Sequence, residues 1–253
     1  MENRLRRSIW SACWPNHRRQ ATRKSGGAFV PFHAFGAPFC GRLSRSVKLH
    51  RQGVGVNQHL AIILPGRRES VSSRQYQRLG FVFEEIGIKP EYIQPNWKLP
   101  SVDAITREAS RQIRQVALRG KIVYGLGFSL GALCILKASE EVSFEAAILC
   151  SMSFFKEEIP HMGAVLRFFT RKVIYRGDEP SEYPSVHLGK AYHFVYGERE
   201  LPNIPSGIRA LRETRFRGGQ TVVAPEAGHN LGHEGYQVAL EALIRSVGCA
   251  GGA

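Results

Sequence analysis

A single serine stands where it could act as a nucleophile. Ser129 lies in the string Gly127-Phe128-Ser129-Leu130-Gly131, after an apolar, β-branched stretch at 121–125 and before a stretch without helix breakers at 132–138. This pattern predicts a strand, a tight turn and a helix, because small residues on both sides of the serine avoid a Cβ clash. The turn would project the hydroxyl above the sheet, where a helix N-terminus favours negative charge. A plain glycine-rich turn can have the same pattern, so other residues must decide.

The residues that could activate this serine follow two later strands. A serine hydroxyl needs a base that removes its proton, and the base needs a third group that orients it. Glu200 comes just after an apolar stretch at 191–196, and His229 comes just after a second stretch at 221–224. The carboxyl ends of parallel strands meet at one sheet edge, so we expect Ser129, Glu200 and His229 to lie close together in this chain order.

Each candidate has an alternative. Glu198 could replace Glu200, since one loop could present either carboxylate, and Glu200 could also be a solvated surface charge. The histidines that compete with His229 are His233, His187 and His193, of which the last lies inside a predicted strand and fits a structural role better. Ser129 could simply stabilise a turn. Cys134, in the helix behind it, fits a core position better than a reactive one.

The elements that must position these residues alternate along the chain. Apolar runs predict strands at 59–64, 91–94, 121–125, 146–150, 191–196 and 220–224. Helical spacing predicts helices at 72–86, 101–118, 132–138, 208–216 and 236–247, with Ser101 as an N-cap. Strands that alternate with helices predict an α/β class fold in three α/β/α layers, with a mostly parallel sheet.

One long segment interrupts this alternation at 151–189. It is too long for a plain connection, and apolar residues recur at helical spacing between Met162 and Val173, which predicts an amphipathic helix. This helix could pack on the core, or it could form a cap over the site and line an acyl pocket. The sequence leaves both arrangements of this helix open.

The charge is concentrated in an N-terminal head. The chain carries a formal net charge of +14, of which residues 1–51, with eleven Lys or Arg and one acid, contribute +10. We expect residues 1–56 to be a basic, disordered head, with an organelle transit peptide or a basic tether to nucleic acid or membrane as alternatives. The excess charge therefore does not indicate a nucleic-acid-binding fold.

Other chemistries find little support in the sequence. The five cysteines are an odd number without metal-type spacing, and neither H-E-x-x-H nor a Walker-type glycine loop is present. No apolar run approaches the roughly 20 residues of a membrane span. We therefore expect no metal, no cofactor, no nucleic-acid partner and no membrane span, and a cytoplasmic location unless residues 1–56 direct the chain to an organelle.

Residues 57–249 resemble the α/β-hydrolase superfamily. The matching pieces are G-F-S-L-G at 127–131, Y-G-E-R-E at 196–200 and A-G-H-N at 227–230. The resemblance implies a compact hydrolase domain with Glu200 as the triad acid and His229 as the base. It departs from the family pattern in having Glu rather than the commoner Asp and in lacking evident early antiparallel strands.

The resemblance also implies donors for an oxyanion. One is the backbone N–H of Leu130, which follows the nucleophile, and the other comes from the loop at 65–68 through the main chain of Arg67 or its neighbour. Arg67 or Arg68 could instead turn inward and bind an anionic part of a substrate.

The expected activity is that of a serine hydrolase. It would cleave a small-molecule carboxylic ester or thioester through an acyl-enzyme. A peptidase or acyltransferase that uses the same triad, or a binding protein on a hydrolase fold without catalysis, are the alternatives. The sequence leaves the acyl group and the oligomeric state open.

Overall fold

A computed structural model describes residues 59–164, 167, 170, 182–185, 191–216 and 218–250. The predicted head at 1–56 lies outside these residues, and so do most of the residues between Met162 and Val173 on which the predicted amphipathic helix depends. Both remain predictions.

The described strands form one parallel sheet. The strands are β1 (His59–Leu64), β2 (Lys89–Tyr92), β3 (Ile122–Phe128), β4 (Ala146–Cys150), β5 (Ala191–Gly197) and β6 (Thr221–Ala224). Their order in the sheet is β2-β1-β3-β4-β5-β6, and every pair of neighbours is parallel. The chain thus moves outward from β1 to β2, returns to β3 and continues in the other direction, which leaves a crevice at the carboxyl ends of β1 and β3.

Helices cover both faces of the sheet. They are α1 (Arg74–Glu85), α2 (Val102–Ala117), α3 (Leu130–Ala138), α4 (Ser206–Arg215) and α5 (Glu234–Ala250). Alternate residues of β1 point to opposite faces: Ile62 and Leu64 pack with α2, α3 and α4, whereas Ala61 and Ile63 pack with α1 and α5. The predicted three-layer α/β/α class is therefore confirmed.

The observed ends of some strands and helices agree with the predicted ends, and others differ. β1 and β4 have the predicted bounds, and the Ser101 hydroxyl accepts a hydrogen bond from the Ala104 N–H at 3.1 Å, as an N-cap does. β3 runs to Phe128, three residues past its predicted end, because Gly125 is a strand position against which a helix packs. A Cβ there would lie 2.8 Å from the Ile135 side chain.

Backbone-to-backbone contact brings α3 against the end of β1. A Cβ on Gly131 would lie 2.4 Å from the Pro65 carbonyl oxygen, and a Cβ on Gly127 would lie 2.5 Å from the Gly131 carbonyl oxygen. Backbone atoms cannot move aside as the end of a flexible side chain can. Glycine is therefore required on both sides of Ser129.

The close approach at Gly131 predicts a large cost for a single methyl group. We expect Gly131→Ala to lower the free energy of unfolding by about 3 kcal/mol, the upper end of the range for overpacking. Gly163→Ala is the matched control, since a Cβ at Gly163 meets nothing within 4 Å and should leave the stability nearly unchanged. Urea unfolding of both variants tests this expectation, and equal midpoints would contradict the packing described here.

Candidate active site

Ser129 occupies the sharp turn between β3 and α3. Its backbone has φ 54° and ψ −114°, which lies outside the regions that residues with a side chain ordinarily adopt. The Ser129 N–H donates to the Cys150 carbonyl at 2.8 Å, and its carbonyl accepts from the Ser153 N–H at 3.3 Å. The residue is half-buried at the carboxyl edge of the sheet. The turn is therefore held by backbone bonds to the loop after β4 and is of the strained kind that exposes a side chain.

The N-terminus of α3 faces the same edge. Leu130 is the first residue of this helix, and the first N–H groups of an α-helix have no acceptor within the helix. These groups carry the positive end of the helix dipole. The backbone at Leu130 thus has the chemistry to stabilise a negative charge that develops beside Ser129.

The loop after β1 lies against the serine turn. A Cβ on Gly66 would meet the Phe128 ring at 2.8 Å, and Arg68 has a left-handed φ of 67°. The Gly66 N–H donates to the Tyr76 hydroxyl at 2.9 Å and to the Glu69 carboxylate at 3.2 Å. The Gly66 N–H is therefore already engaged.

A buried tyrosine and a carboxylate hold this loop in place. The Tyr76 hydroxyl donates to the Glu69 carboxylate, and burial followed by the charge of Glu69 raises the pKa of Tyr76. The Glu69 carbonyl accepts from the Gln94 side-chain amide at 3.2 Å and from the Trp97 indole N–H at 3.3 Å. The loop that contains Arg67 is consequently fixed from several sides.

His229 and Glu200 are brought together as predicted. The His229 Nδ1 lies 2.7 Å from the Glu200 Oε1, and the imidazole ring packs on the Phe128 ring with 4.9 Å between centroids. A carboxylate can only accept a hydrogen bond, so Nδ1 carries the proton and Nε2 is the basic nitrogen. His229 is 24 % exposed at its side chain, whereas Glu200 is fully buried. This arrangement leaves the His229 imidazole partly exposed and oriented by a buried carboxylate.

Glu200 makes further hydrogen bonds through its second oxygen. Its Oε2 accepts from the Gly197 N–H at 2.8 Å and from the Ser151 hydroxyl at 2.5 Å, and the Tyr236 hydroxyl lies 3.4 Å from the same oxygen. Burial and the negative charge of Glu200 raise the pKa of Tyr236, which keeps that hydroxyl protonated. The buried carboxylate is thus satisfied by donors on three sides.

The loop after β4 connects the serine to the acid. Cys150 accepts from the Ser129 N–H through its carbonyl, and the next residue, Ser151, donates to Glu200. The ring of Phe128, directly before Ser129, packs against the His229 ring. The three predicted residues therefore share one framework of neighbouring residues at the sheet edge.

The competing residues have other partners. Glu198 is exposed and accepts from the Glu226 N–H at 2.7 Å, and the His233 Nδ1 accepts from the Gly235 N–H at 3.2 Å. His193 lies in β5, accepts from the Gln220 N–H at 3.2 Å, and burial lowers its pKa. His187 lies outside the described residues. Cys134 is buried in the core, which raises the pKa of its thiol to about 12 and makes a thiolate inaccessible near neutral pH.

Neither metal ligands nor a membrane helix are evident in the described part of the chain. No group of three or more His, Cys, Asp or Glu residues there could hold a metal ion. No helix among the described residues is long and apolar enough to cross a bilayer.

Solved structures of known proteins share this architecture. Est1E from Butyrivibrio proteoclasticus aligns with a TM-score of 0.53 at 14 % identity, over 78 % of this chain and 88 % of its own. An esterase from Pyrococcus furiosus aligns with a TM-score of 0.57 at 12 % identity, over 76 % and 81 %. The alpha/beta hydrolase domain-containing protein 10 from mouse aligns with 0.55 at 10 % identity, over 74 % and 88 %. The chain has the α/β-hydrolase fold.

At the level of sequence, neither a protein-family model nor a curated protein matches this chain. The likeness therefore concerns the hydrolase fold alone. In that fold the crevice at the carboxyl edge is the place where ligands bind, and this is the edge at which Ser129, Glu200 and His229 lie.

The segment after β4 is tied to the hydrolase fold by a buried ion pair. Arg212 of α4 contacts Glu158 through two hydrogen bonds of 2.6 and 3.0 Å, and both side chains are fully buried. Burial alone would lower the pKa of Arg212, but the Glu158 carboxylate outweighs this and raises it. The same guanidinium donates to the carbonyls of Met152 and Ser153. Arg212 thereby supports the residue whose N–H holds the Ser129 carbonyl.

The described part of this segment contributes residues to the core. It contains a 3-10 helix at Lys156–His161, which the sequence analysis did not predict, and Met152, Phe155 and Met162 pack with the residues of α3. The part that could form a cap beyond Gly163 stays a prediction.

The sequence analysis missed several supporting residues. Ser151, Tyr236, Arg212 and Glu158 have no recognisable motif, and the only available signal was the position of Ser151 directly after a predicted strand. Helical spacing places Arg212 on the same face as Ile208 and Phe216, but an arginine is ordinarily solvent-exposed, so its residue type gives no sign of a charged pair inside the core.

The buried ion pair predicts a strong dependence of stability on both partners. We expect Arg212→Met to lower the free energy of unfolding by about 3–5 kcal/mol, because it leaves the Glu158 carboxylate buried without its counter-charge. The double variant Arg212→Met/Glu158→Gln should recover part of this loss. Urea unfolding followed by tryptophan fluorescence measures both changes.

The exposed pair Arg114–Glu141 serves as the control for this experiment. Arg114→Met should cost less than about 1 kcal/mol, as is usual for ion pairs on the surface. Equal losses for the Arg114 and Arg212 variants would show that the buried pair does not contribute as described.

Proposed function

We propose that this protein is a serine hydrolase that cleaves a carboxylic ester or thioester through an acyl-enzyme. The observation that carries the proposal is the buried Glu200 bound to Nδ1 of a reachable His229, at the sheet edge where Ser129 occupies a strained turn. Nucleophile, base and orienting acid are the three groups that acyl transfer by serine requires.

In the proposed reaction the Ser129 Oγ attacks the carbonyl carbon of the substrate while His229 Nε2 takes the hydroxyl proton. Glu200 stays ionised and stabilises the imidazolium that forms. The tetrahedral intermediate then collapses, the C–O or C–S bond breaks, and His229 returns its proton to the alcohol or thiol that leaves. Water, activated by the same histidine, releases the acid from Ser129.

The oxyanion of the intermediate would be held by two backbone N–H groups. Leu130 supplies one from the start of α3, where no acceptor within the helix competes. We assign the second donor to the main chain of Arg67, the position in the loop after β1 to which the resemblance to the family points. The support given to this loop by Tyr76 and Trp97 would keep the donor in place before the substrate binds.

The hydrolase domain that we propose comprises residues 57–249, with a cap formed from 151–189 and a separate basic head at 1–56. A small-molecule substrate suits the crevice of this domain, and the proposed location is the cytoplasm. The related structures include Est1E with ferulic acid bound, which places an aromatic acyl group among the candidates to test here.

Covalent labelling of Ser129 tests the proposal directly. We expect a fluorophosphonate probe to modify the wild-type protein at Ser129, and Ser129→Ala to lower ester hydrolysis by roughly 10⁴-fold or more, as expected for loss of a catalytic nucleophile. Ser139→Ala is the matched control: it removes a buried serine hydroxyl bonded only to the Leu136 carbonyl. Peptide mapping by mass spectrometry identifies the labelled residue.

The outcomes of labelling separate the possible functions. Unlabelled Ser129 in folded protein would contradict catalysis and favour a binding protein on the same fold. Where labelling succeeds, p-nitrophenyl esters, acyl thioesters of graded length and a feruloyl ester, each with and without an acceptor alcohol, distinguish a hydrolase from an acyltransferase. Peptide amides in the same panel test for a peptidase.

The choice between two neighbouring carboxylates gives a further prediction. Glu200→Gln should lower kcat by roughly 10³–10⁴-fold, because the amide cannot stabilise the imidazolium of His229. Glu198→Gln is the matched control and should change kcat by no more than about twofold, as a surface substitution. Steady-state kinetics with one ester measures kcat for both variants. A larger loss for Glu198→Gln than for Glu200→Gln would identify Glu198 as the acid instead.

A further inference from the structure

The second oxygen of Glu200 faces a buried pair of hydroxyl groups. Ser151 Oγ lies 2.5 Å from the Glu200 Oε2, and the Tyr236 hydroxyl contacts Ser151 Oγ. Tyr236 also reaches the Val195 carbonyl at 3.1 Å and the Glu200 Oε2 at 3.4 Å. Ser151 and Tyr236 are both buried. Neither side chain belongs to the three residues that perform the proposed chemistry.

The direction of these hydrogen bonds follows from the number of protons. An ionised carboxylate only accepts, so the one proton of Ser151 points to Glu200. The Ser151 oxygen is then free to accept from Tyr236, whose hydroxyl stays protonated because burial and the charge of Glu200 raise its pKa. The result is a series of hydrogen bonds in which Tyr236 donates to Ser151 and Ser151 donates to Glu200, which also accepts from His229.

The backbone of Ser151 is held in the conformation that aims its hydroxyl at the acid. Its φ is 43°, in the left-handed region that a residue with a side chain rarely adopts. The Ser151 N–H donates to the Val195 carbonyl at 2.8 Å, and Cys150 before it is tied to the Ser129 N–H. Strain at a residue so firmly held on both sides points to a role for that side chain.

We propose that Ser151, supported by Tyr236, is a positioning residue for Glu200. By holding Oε2, it leaves Oε1 directed at the His229 Nδ1 and prevents rotation of the carboxylate in its cavity. Ser151 contacts neither substrate nor the reacting atoms in this proposal, which rests on the proposed function of Ser129, Glu200 and His229.

Loss of the Ser151 hydroxyl should change the pH dependence of the reaction. A carboxylate that loses a donor becomes a stronger base and stabilises the imidazolium form of His229 more strongly. The neutral histidine then forms only at higher pH. We expect the acid limb to move upward by about one pH unit, since a hydrogen bond to a charged group has about this worth.

The experiment measures the second-order rate of fluorophosphonate labelling against pH for wild type, Ser151→Ala and Ser151→Gly. Alanine keeps the backbone strain at φ 43°, whereas glycine relieves it. Both variants lack the hydroxyl, so both should show the upward shift and, on the acid limb below its midpoint, a labelling rate lower by roughly tenfold. Ser139→Ala should retain the wild-type profile.

Tyr236→Phe provides an independent variant if the Ser151 variants do not fold. It should move the acid limb in the same direction by a smaller amount, because it acts through Ser151. Its matched control is Tyr124→Phe, which removes a buried tyrosine hydroxyl that has no hydrogen-bond partner among the described residues.

The outcomes distinguish this inference from the proposed function. Wild-type protein that is not labelled would overturn the proposed function and the inference with it. Labelled wild type together with variants that have lower melting temperatures but an unshifted pH profile would overturn the positioning role alone. An upward shift in both Ser151 variants and none in Ser139→Ala supports it.

Discussion

Direct contact between backbone segments at the carboxyl edge of the sheet is the constraint on which the candidate site depends. Gly131 meets the Pro65 carbonyl, and Gly197 meets the Ala227 carbonyl, where an added Cβ would lie 2.5 Å away. The first contact places the loop after β1 beside the serine turn. The second places the loop of Glu200 beside the loop of His229. Because neither contact leaves room for a methyl group, the spacing of the site is set by the main chain.

The second requirement is electrostatic. A carboxylate withdrawn from water is tolerated only when donors replace its hydration, and Glu200 receives hydrogen bonds at both oxygens. Arg212 and Glu158 compensate the loss of water by neutralising each other's charge. The remaining donors of Arg212 bind carbonyl groups of the chain after β4. Glu200 thus binds the first residue of the stretch from Ser151 to Glu158, and Arg212 binds the last.

Much of the fold was predictable because buried parallel strands are continuous apolar runs, as in His59–Leu64 and Ala146–Cys150. Chain order and strand ends were enough to predict that the loops that contain Glu200 and His229 are neighbours. Local sequence could not choose between Glu198 and Glu200, since both follow β5, and it ended β3 too early because Gly125 and Gly127 look like turn residues. Ser151 and Arg212 escaped prediction because their partners lie 49 and 54 residues away in the chain.

The topology of the sheet has a consequence for how the site comes into being. The residues around Glu200 and His229 come from the ends of β3, β4, β5 and β6, and parallel neighbours can pair only after the helix between them has been formed or enclosed. Such non-local pairings close slowly during folding. No single hairpin or helix pair in the described part of the chain contains two adjacent parts of the site. The candidate site is therefore complete only when these strands have paired, and its geometry reports on the folding of the whole sheet.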